Sequence, residues 1–313
     1  MSNLTHKKPF QILAHTDEIL IVQTNAGTEL ATSNDKQSGQ TNSYGHFNLG
    51  LHVNDDPAQV LNNRAQLLRA INDYLAKQNK PSAVEAIYWL SQIHSNQVIR
   101  IEDSYLDNLS LVPAAADALV SAQSGQALAI MTADCVPIVI YDPSSQQVAA
   151  IHAGWQGLAN GVVFETYNEL MNLNSPSADS LSPNLGDAKP LQAWIGACIS
   201  QACYEVSSEV VDKLLFGCEK MGMSAEEVRS QIVAEHEDPN KAWLDLPKLA
   251  QLQLNQLGIQ VEKPSSLSDD ESKASPALAC SYESSEYYSY RRKTHLGEGN
   301  TGRMALLVVK LKA

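Results

Sequence analysis

IMTADCVPIVIYDPSSQQVAAIHAGWQG, residues 130–157, contains two apolar runs joined by a short polar segment. Apolar runs of strand length around such a segment predict a β-hairpin. If the turn is DPSS, residues 142–145, then Cys135 and His152 lie directly opposite each other. Opposed residues project to one face of a sheet with Cβ atoms about 4.5–5.5 Å apart. That separation suits two ligands of one metal ion, or a thiol and its base.

The composition around this hairpin limits the classes of protein to consider. The chain has 313 residues, 44% of them hydrophobic, and a net charge of −13 without a run of Lys or Arg. These values are typical of a globular protein and argue against a nucleic-acid or anionic-membrane surface. No stretch approaches the ~20 apolar residues of a membrane helix, and the first residues lack the apolar core of a secretory signal. We therefore predict a cytoplasmic protein that holds any anionic substrate through a local cluster of cations.

The cysteines agree with a reducing compartment. Their number is five, which is odd, and they lack the paired spacing of a disulfide framework. We therefore expect no disulfide, and for most of them the simplest role is that of a small buried hydrophobe.

Strand-like and helix-like segments alternate along the chain, which predicts an α+β fold. We expect a single domain over residues 1–313, with flexible polar segments near 24–46, 173–190 and 263–276. A helix should begin after Asp56 as N-cap, with Pro57 at its first position. Its predicted apolar face consists of Leu61, Leu67, Leu68, Ile71 and Leu75.

Three residues at predicted strand ends carry the chemistry. His94 ends one predicted strand, and Cys135 and His152 belong to the hairpin. Two imidazoles and one thiolate would leave a fourth zinc position open, as in catalytic zinc sites. Spacing alone makes this a weak signal, because a Cys and a His in a hairpin are more often two core residues. The chain has no CxxC and no HExxH motif that would compete for a metal.

Six sequence blocks, in order, resemble those of the YfiH family, also called the laccase-domain or DUF152 family and related to the mammalian protein FAMIN. The blocks are NLGLHVNDDPAQVLNNR, WLSQIHSNQV, MTADCVPI, VAAIHAGWQGLANGV, AWIGACIS followed by YEV, and SYRRKTHLGEGNTGRMA. Ordered agreement from about residue 44 to the C-terminus is far more specific than any one block.

The resemblance implies a single-domain α-β sandwich with mixed sheets that binds one zinc ion through His94, Cys135 and His152. Similar proteins act on purine nucleosides, by phosphorolysis of adenosine, inosine and methylthioadenosine and by deamination of adenosine. We therefore expect a nucleoside and phosphate as partners, no nucleic acid and no membrane, while the oligomeric state stays open. Deamination fits a water activated by zinc.

Phosphorolysis further requires cationic groups for phosphate and a contact for the purine. The candidates for phosphate are Arg291, Arg292 and Arg303, although arginines near a terminal strand are more often surface charges or structural ion pairs. Trp155 could stack on a base. Asn48 and Gln97 are further candidate substrate contacts.

The chain departs from the family pattern at three arginines. Gln156 stands where relatives read HAGWRG, and Ala115 stands where they read RADA. The polar stretch TSNDKQSGQT replaces an arginine- and glycine-containing block before NLG. Neutral glutamine cannot provide the charge-assisted hydrogen bonds of a guanidinium, so the departures predict weakened phosphate binding.

Other functions remain open at this point. Cys135 and His152 could form the nucleophile and base of a metal-free hydrolase acting on a peptidoglycan precursor, and metal analysis would distinguish the two. A non-catalytic nucleoside-binding protein is another alternative. A copper polyphenol oxidase ranks lowest, and copper is not the expected metal, because none of the eight histidines forms a His-x-His pair.

Overall fold

The computed structural model describes residues 9–28, 30, 44–78, 83–102, 113–174, 189–264, 280–297 and 300–312. Most of each predicted flexible segment, near 24–46, 173–190 and 263–276, lies outside these ranges, so its flexibility stays a prediction. The extent of a single domain over residues 1–313 likewise stays a prediction.

Two mixed sheets form the centre of the molecule. The strands are β1 (Phe10–His15), β2 (Ile19–Thr24), β3 (Ala86–Tyr88), β4 (Val98–Ile101), β5 (Ala118–Ser121), β6 (Gln126–Thr132), β7 (Val136–Asp142), β8 (Gln147–Ala153), β9 (Gln192–Ile195), β10 (Glu205–Ser207), β11 (Val233–Glu235), β12 (Lys241–Leu244), β13 (Gln260–Val261) and β14 (Met304–Lys310). Within the described ranges, one sheet has the order β1-β2-β14-β6-β3 and the other β13-β9-β7-β8-β5-β4. Among the described strands, the five-stranded sheet has one parallel pair, at the β3 edge, and the six-stranded sheet has a parallel pair at each edge, while the other pairs are antiparallel. A small antiparallel sheet has the order β10-β12-β11.

The helices cover the outer faces of the two large sheets. They are α1 (Pro57–Lys77), α2 (Trp155–Ala159), α3 (Val162–Asn174), α4 (Ser208–Lys220), α5 (Ala225–Ile232), α6 (Leu246–Gln256) and α7 (Tyr290–Leu296). Helix α1 packs on the outer face of the five-stranded sheet, and helices α2 to α6 pack on the outer face of the six-stranded sheet. Among the described residues, no helix is both long and apolar enough to cross a membrane.

The inner faces of the large sheets pack against each other. Side chains such as Ile21 and Leu306 from the five-stranded sheet meet Val139 and Trp194 from the six-stranded sheet in one buried cluster. Both faces of the central strands are therefore buried, which explains why β6, β7 and β8 are apolar almost without interruption. The predicted α+β sandwich with mixed sheets is confirmed.

Helix α1 agrees with its sequence signals at the N-terminus. The Asp56 side chain accepts a hydrogen bond from the amide of Ala58, and Pro57 is the first helical residue. The predicted apolar face was wrong at Leu61, which is 56% exposed, while Asn63 is buried and donates to the carbonyl of Asn48 at 2.9 Å. Leu61 was thus assigned to the wrong side of the helix, because the buried amide side chain of Asn63 occupies a position that faces the core.

The hairpin of β7 and β8 exists, but its predicted register was wrong by two residues. Asp142 pairs with Gln147, and Pro137 pairs with His152, so the turn consists of residues 143–146. Extending the same register places Cys135 opposite Gly154 rather than opposite His152. A slip of one residue would have moved the two side chains to opposite faces, but a slip of two keeps them on the same face. Cys135 and His152 are consequently diagonal neighbours.

Candidate active site

The three predicted zinc ligands meet at one end of the six-stranded sheet. We call His94, Cys135 and His152 the cavity cluster. One potential ligand atom from each lies within 4.8 Å of those of the other two. Sγ of Cys135 is 4.0 Å from Nε2 of His94, and the two imidazole centroids are 4.8 Å apart. Residues distant in the sequence therefore converge on one point.

His94 reaches this point from a turn, not from the end of a strand as predicted. Strand β3 ends at Tyr88, and His94 has a φ of 59°, in the left-handed region that non-glycine residues rarely adopt. The carboxylate of Asp117 accepts hydrogen bonds from the amides of His94, at 3.0 Å, and Ser95, at 2.5 Å. These bonds hold the unusual backbone conformation and direct the imidazole toward Cys135.

Asp117 also fixes the second imidazole. Its Oδ1 lies 2.8 Å from Nδ1 of His152, and both side chains are buried. Burial opposes ionisation of Asp117, but the hydrogen bonds from His152 and Ser95 outweigh it and lower the pKa of the carboxyl group. A single buried carboxylate therefore positions both histidines, and it leaves Nε2 of His152 for a metal ion.

Cys135 and His152 favour each other's charged form. Burial opposes thiolate formation, but the charge of His152 and hydrogen bonds from both histidines set the pKa of Cys135 well below its ordinary value. Burial likewise opposes protonation of His152, but the Cys135 thiolate and Asp117 raise the pKa of the imidazole. The surroundings thus stabilise the thiolate that a metal ion requires.

Gly154 allows the close approach of the cavity cluster. A Cβ atom at Gly154 would lie 3.0 Å from Sγ of Cys135 and 3.1 Å from Cδ2 of His94. These distances are tighter than ordinary Cβ contacts, so a side chain there would require one of the two ligands to shift by a few tenths of an ångström. The advantage of glycine is therefore one of space rather than of backbone conformation.

The donor set of the cavity cluster fits zinc. Two imidazoles and one thiolate are ligand types that zinc prefers, and Asp117 supplies the outer carboxylate that typically orients a zinc-bound histidine. The set does not fit a multinuclear copper centre. Among the described residues, this is the only group of potential ligands within bonding reach that contains imidazoles, and it contains two.

A cavity of about 750 Å³ opens above the cavity cluster, a volume within the range of small-molecule sites, about 300–1,000 Å³. Its lining residues are His52, Gln92, His94, Met131, Thr132, Ala133, Asp134, Cys135, His152, Trp155, Gln156, Tyr204, Tyr290, Arg291, Thr294, His295 and Arg303. The walls thus combine aromatic rings with positively charged groups.

Three of the six predicted substrate contacts, Trp155, Arg291 and Arg303, line this cavity. The guanidinium of Arg291 donates to the carbonyl of Glu205 at 2.8 Å, and that of Arg303 donates to the carbonyls of Thr301 and Gly302. Within the described part of the chain, neither guanidinium forms a salt bridge with a carboxylate. Both guanidinium groups therefore lack a salt bridge among the described residues, while the carboxylate of Asp134 lines the same cavity and acts on the charge of Arg303.

The side chains of Arg292 and Asn48 do not line the cavity. They form hydrogen bonds within the fold instead. The guanidinium of Arg292 is buried and donates to four backbone carbonyls, those of Ser281, Tyr282, Ser284 and Tyr287. The Asn48 amide binds Asp55 and the backbone of Gly50 and Arg303.

Gln97 and Ala115 also lie outside the cavity lining. The carbonyl of Gln97 accepts hydrogen bonds from the amides of Asp117 and Ala118, and Ala115 pairs with Ser91. Of the two departures at single positions, only Gln156 lines the cavity.

The sequence interpretation missed several contributors to the site. Asp117 was not selected, although a lone carboxylate entering an apolar strand is a signal of a buried polar role. His52, Tyr204, Tyr290 and His295 were not selected because nothing local marks them as neighbours of the cavity cluster. Loss of solvation and the charges of Arg303 and Arg64 lower the pKa of His52 to about 4, so its imidazole is neutral at pH 7.

Comparison with known proteins agrees with this geometry. Residues 30–310 match the family model described as multi-copper polyphenol oxidoreductase laccase. The chain belongs to this laccase-domain family. Its relatives include the purine nucleoside phosphorylase of Corynebacterium glutamicum, 32% identical over 85% of this chain and 87% of that protein. The purine nucleoside phosphorylase YfiH of Escherichia coli is 30% identical over 85% of this chain and 86% of that protein.

Solved structures support the same assignment of this laccase-domain protein. A DUF152-family protein of Neisseria meningitidis superposes with a TM-score of 0.65 at 27% identity, over 97% of this chain and all of that chain. YlmD of Geobacillus stearothermophilus superposes with a TM-score of 0.66 at 23% identity, over 98% of this chain and all of that chain, and shows the shared fold.

Proposed function

We propose that this laccase-domain protein is a zinc-dependent purine nucleoside phosphorylase. The observation that carries the proposal is the cavity above His94, Cys135 and His152, whose walls hold three aromatic rings and two arginines that form no salt bridge among the described residues. The purine nucleoside phosphorylase names of relatives at about 30% identity support this class of activity.

The cavity cluster would hold the zinc ion. His152 would bind through Nε2, because Nδ1 is engaged by Asp117, and Cys135 would bind as the thiolate that its surroundings favour. When bound, zinc would supply a Lewis acid that polarises oxygen ligands and lowers the pKa of water. Asp117 would hold the ring of His152 and the backbone of His94 in place for the ion.

Arg291 and Arg303 are the groups best suited to bind phosphate. Guanidinium groups form bidentate, charge-assisted hydrogen bonds with phosphate oxygens. Burial lowers the pKa of Arg303, but a guanidinium stays protonated in proteins, and His52 beside it is neutral. The positive charge of this wall therefore comes from the two arginines.

The aromatic rings of Trp155, Tyr204 and Tyr290 are the surfaces available to the purine. In phosphorolysis, a phosphate oxygen forms a bond to C1′ of the ribose while the bond from C1′ to the purine nitrogen breaks. The purine leaves with the bonding electrons and takes up a proton. Packing between rings fixes the base, and the arginines fix phosphate on the opposite face of the sugar.

The test is incubation of the zinc-loaded protein with adenosine, inosine and methylthioadenosine, with and without phosphate, followed by chromatography. We expect free base and ribose 1-phosphate, or its methylthio derivative, only when phosphate is present. Release of free base at the same rate without phosphate would overturn the proposal. Adenosine deamination stays a sequence-based prediction, and formation of inosine in the same incubation measures it.

A thiol hydrolase is the second candidate, and one observation favours it. Cys135, His152 and Asp117 stand in the order nucleophile, base and orienting carboxylate. Zinc bound to the thiolate would block this chemistry. Inactivation by iodoacetamide of protein as purified, with about one alkyl group on Cys135 and no zinc released, would favour the hydrolase over the phosphorylase.

A further inference from the structure

A second group of potential metal ligands lies outside the cavity. We call Cys203, Cys280 and Glu283 the loop cluster. One sulfur atom from each cysteine and one carboxylate oxygen of Glu283 lie within 4.8 Å of one another. The two cysteines are partly buried and Glu283 is exposed, so the cluster lies at the surface.

Backbone hydrogen bonds hold the loop cluster together. Cys203 ends a short 3-10 turn, Gln201–Cys203, and its amide donates to the carbonyl of Ser200 at 3.1 Å. The amide of Ser200 donates to Sγ of Cys280 at 3.3 Å. Amide hydrogen bonds to sulfur are the outer-shell contacts that support metal-bound thiolates. The chain therefore pre-positions both sulfur atoms before any ion arrives.

The side chain of Ser200 lies at the same place. Its buried hydroxyl group forms a hydrogen bond with the Cys203 side chain, which acts against the effect of burial on the pKa of that thiol. Ser200 also contacts both cysteines through its backbone, by its carbonyl to Cys203 and its amide to Cys280. Both sulfur atoms therefore have polar neighbours of the kind that support metal-bound thiolates.

We propose that the loop cluster is a second metal site, specific for a borderline-soft divalent cation of the zinc type. Two thiolates and one carboxylate are ligands that zinc accepts, and hard cations such as Mg²⁺ and Ca²⁺ prefer oxygen alone. Water or the Ser200 hydroxyl completes the coordination. The site is built from residues distinct from those of the cavity cluster, so it does not depend on the proposed function.

A metal ion bound by the loop cluster would stabilise one wall of the cavity. Cys203 precedes Tyr204, which lines the cavity. Cys280 precedes Ser281, whose hydroxyl donates to Asp134 at 2.7 Å, and Asp134 adjoins Cys135. An ion that joins Cys203 to Cys280 therefore ties together the two segments that support this side of the cavity cluster.

The test counts zinc in the full-length protein after reduction, removal of metal with a chelator, reloading with zinc and gel filtration. We expect two zinc ions per chain in the wild type and one in the Cys203→Ser/Cys280→Ser double variant. Cys135→Ser should also retain one, and the combined triple variant none. Cys218→Ala is the matched control, because Cys218 lies in α4 outside both clusters, and it should retain two.

Each result separates the two sites. Equal zinc content in the wild type and the double variant would overturn the second site. Equal content in the wild type and Cys135→Ser would instead count against zinc in the cavity, and loss in the double variant would still support the loop cluster. A Cys203–Cys280 disulfide in protein purified without reductant, with no zinc uptake after its reduction, would also overturn the proposal.

A single exposed substitution guards against misfolding of the double variant. Glu283→Gln removes one ligand charge at the surface, and we expect one of the two zinc ions to be lost to a competing chelator at lower chelator concentration than in the wild type. Cobalt titration of Cys135→Ser should give the intense absorption of a cobalt–thiolate bond. Unchanged chelator competition in Glu283→Gln together with absence of that absorption would refute the site.

Discussion

The cavity cluster and the loop cluster each contain three potential ligands with at least one cysteine, but different contacts hold them in place. Asp117 supports both histidines of the cavity cluster from behind, through a ring hydrogen bond at 2.8 Å and an amide hydrogen bond at 3.0 Å. The sulfur atoms of the loop cluster are positioned by backbone amides and carbonyls, and its carboxylate is exposed. A buried carboxylate tunes the charge and proton position of its ligands, while backbone contacts only fix their place. This difference suits the cavity cluster to catalysis and the loop cluster to a structural role.

The largest effect should follow the loss of a ligand from the cavity cluster. Cys135→Ser replaces the thiolate with a neutral hydroxyl group, and we expect phosphorolysis of inosine to fall by more than about 100-fold, beyond the range for outer-shell residues. The Cys218→Ala variant should retain its rate. Initial rates with saturating phosphate and circular dichroism of both variants make the measurement. Full activity of Cys135→Ser would show that phosphorolysis does not depend on zinc bound by the cavity cluster.

The second-largest effect tests whether Asp117 supports zinc binding by the cavity cluster but not by the loop cluster. Asp117→Asn keeps the size of the side chain but loses the charge that orients His152, so the zinc affinity of the cavity cluster should fall by about 10–100-fold. The affinity of the loop cluster should not change. Chelator competition on both sites gives the two affinities. Asp142→Asn is the control, because Asp142 lies at the opposite end of β7, and equal losses in the two variants would contradict the role of Asp117.

The two clusters should also differ in thiol reactivity when zinc is removed. His152 and His94 hold the pKa of Cys135 below its usual range, whereas burial raises the pKa of Cys203. Because a lowered pKa preserves thiolate as the pH falls, Cys135 should still react rapidly at pH 7, where an ordinary thiol is only a few per cent ionised. We expect iodoacetamide to modify Cys135 on the order of tenfold faster than Cys203.

Mass spectrometry of peptides between pH 5 and 9 measures this difference. The His152→Ala variant should move the half-maximal rate of Cys135 to higher pH, since it loses the charge that stabilises the thiolate. A Cys135 profile that coincides with that of Cys203 would contradict the predicted contrast.

A smaller effect should follow restoration of the missing arginine at the cavity. Gln156→Arg adds a guanidinium at a lining position, and bidentate contacts to phosphate should lower KM for phosphate by about threefold to tenfold. Gln156→Lys adds charge without the planar fork and should give a weaker gain. Phosphate saturation curves of the wild type, Gln156→Arg and Gln156→Lys measure the KM for phosphate. An unchanged or increased KM in Gln156→Arg would indicate that Arg291 and Arg303 already satisfy phosphate.

The smallest expected effect concerns the link between the clusters. Ser281→Ala removes the hydrogen bond to Asp134, and we expect a loss of about 1 kcal/mol in the free energy of unfolding. Zinc content should remain at both sites. Urea denaturation measures the change, and Ser230→Ala, an exposed serine in α5, serves as control. A loss no larger than that of the control would show that the two clusters are mechanically independent.

The local sequence predicted those features that depend on neighbouring residues. Asp56 and Pro57 marked the start of α1, and the apolar runs marked the β7–β8 hairpin, because capping and strand patterns act over a few positions. His94 was selected because it ended a predicted strand, and the ordered family blocks then implied that it is the third ligand beside Cys135 and His152. The hairpin register was wrong by two residues, yet the shared face of Cys135 and His152 survived because strand side chains alternate with a period of two.

Only the tertiary structure decided which polar side chains belong to the site. Arg291 and Arg292 are adjacent in the sequence, but the first lines the cavity and the second is buried among loop carbonyls. Asp117 connects His94 and His152 from the residue just before β5, and Gly154 leaves room for two ligands that approach from separate loops. Contacts between distant segments depend on how the sheets and loops pack together. Residue type and local pattern carry no record of that packing, so the support of the site became visible only in the folded chain.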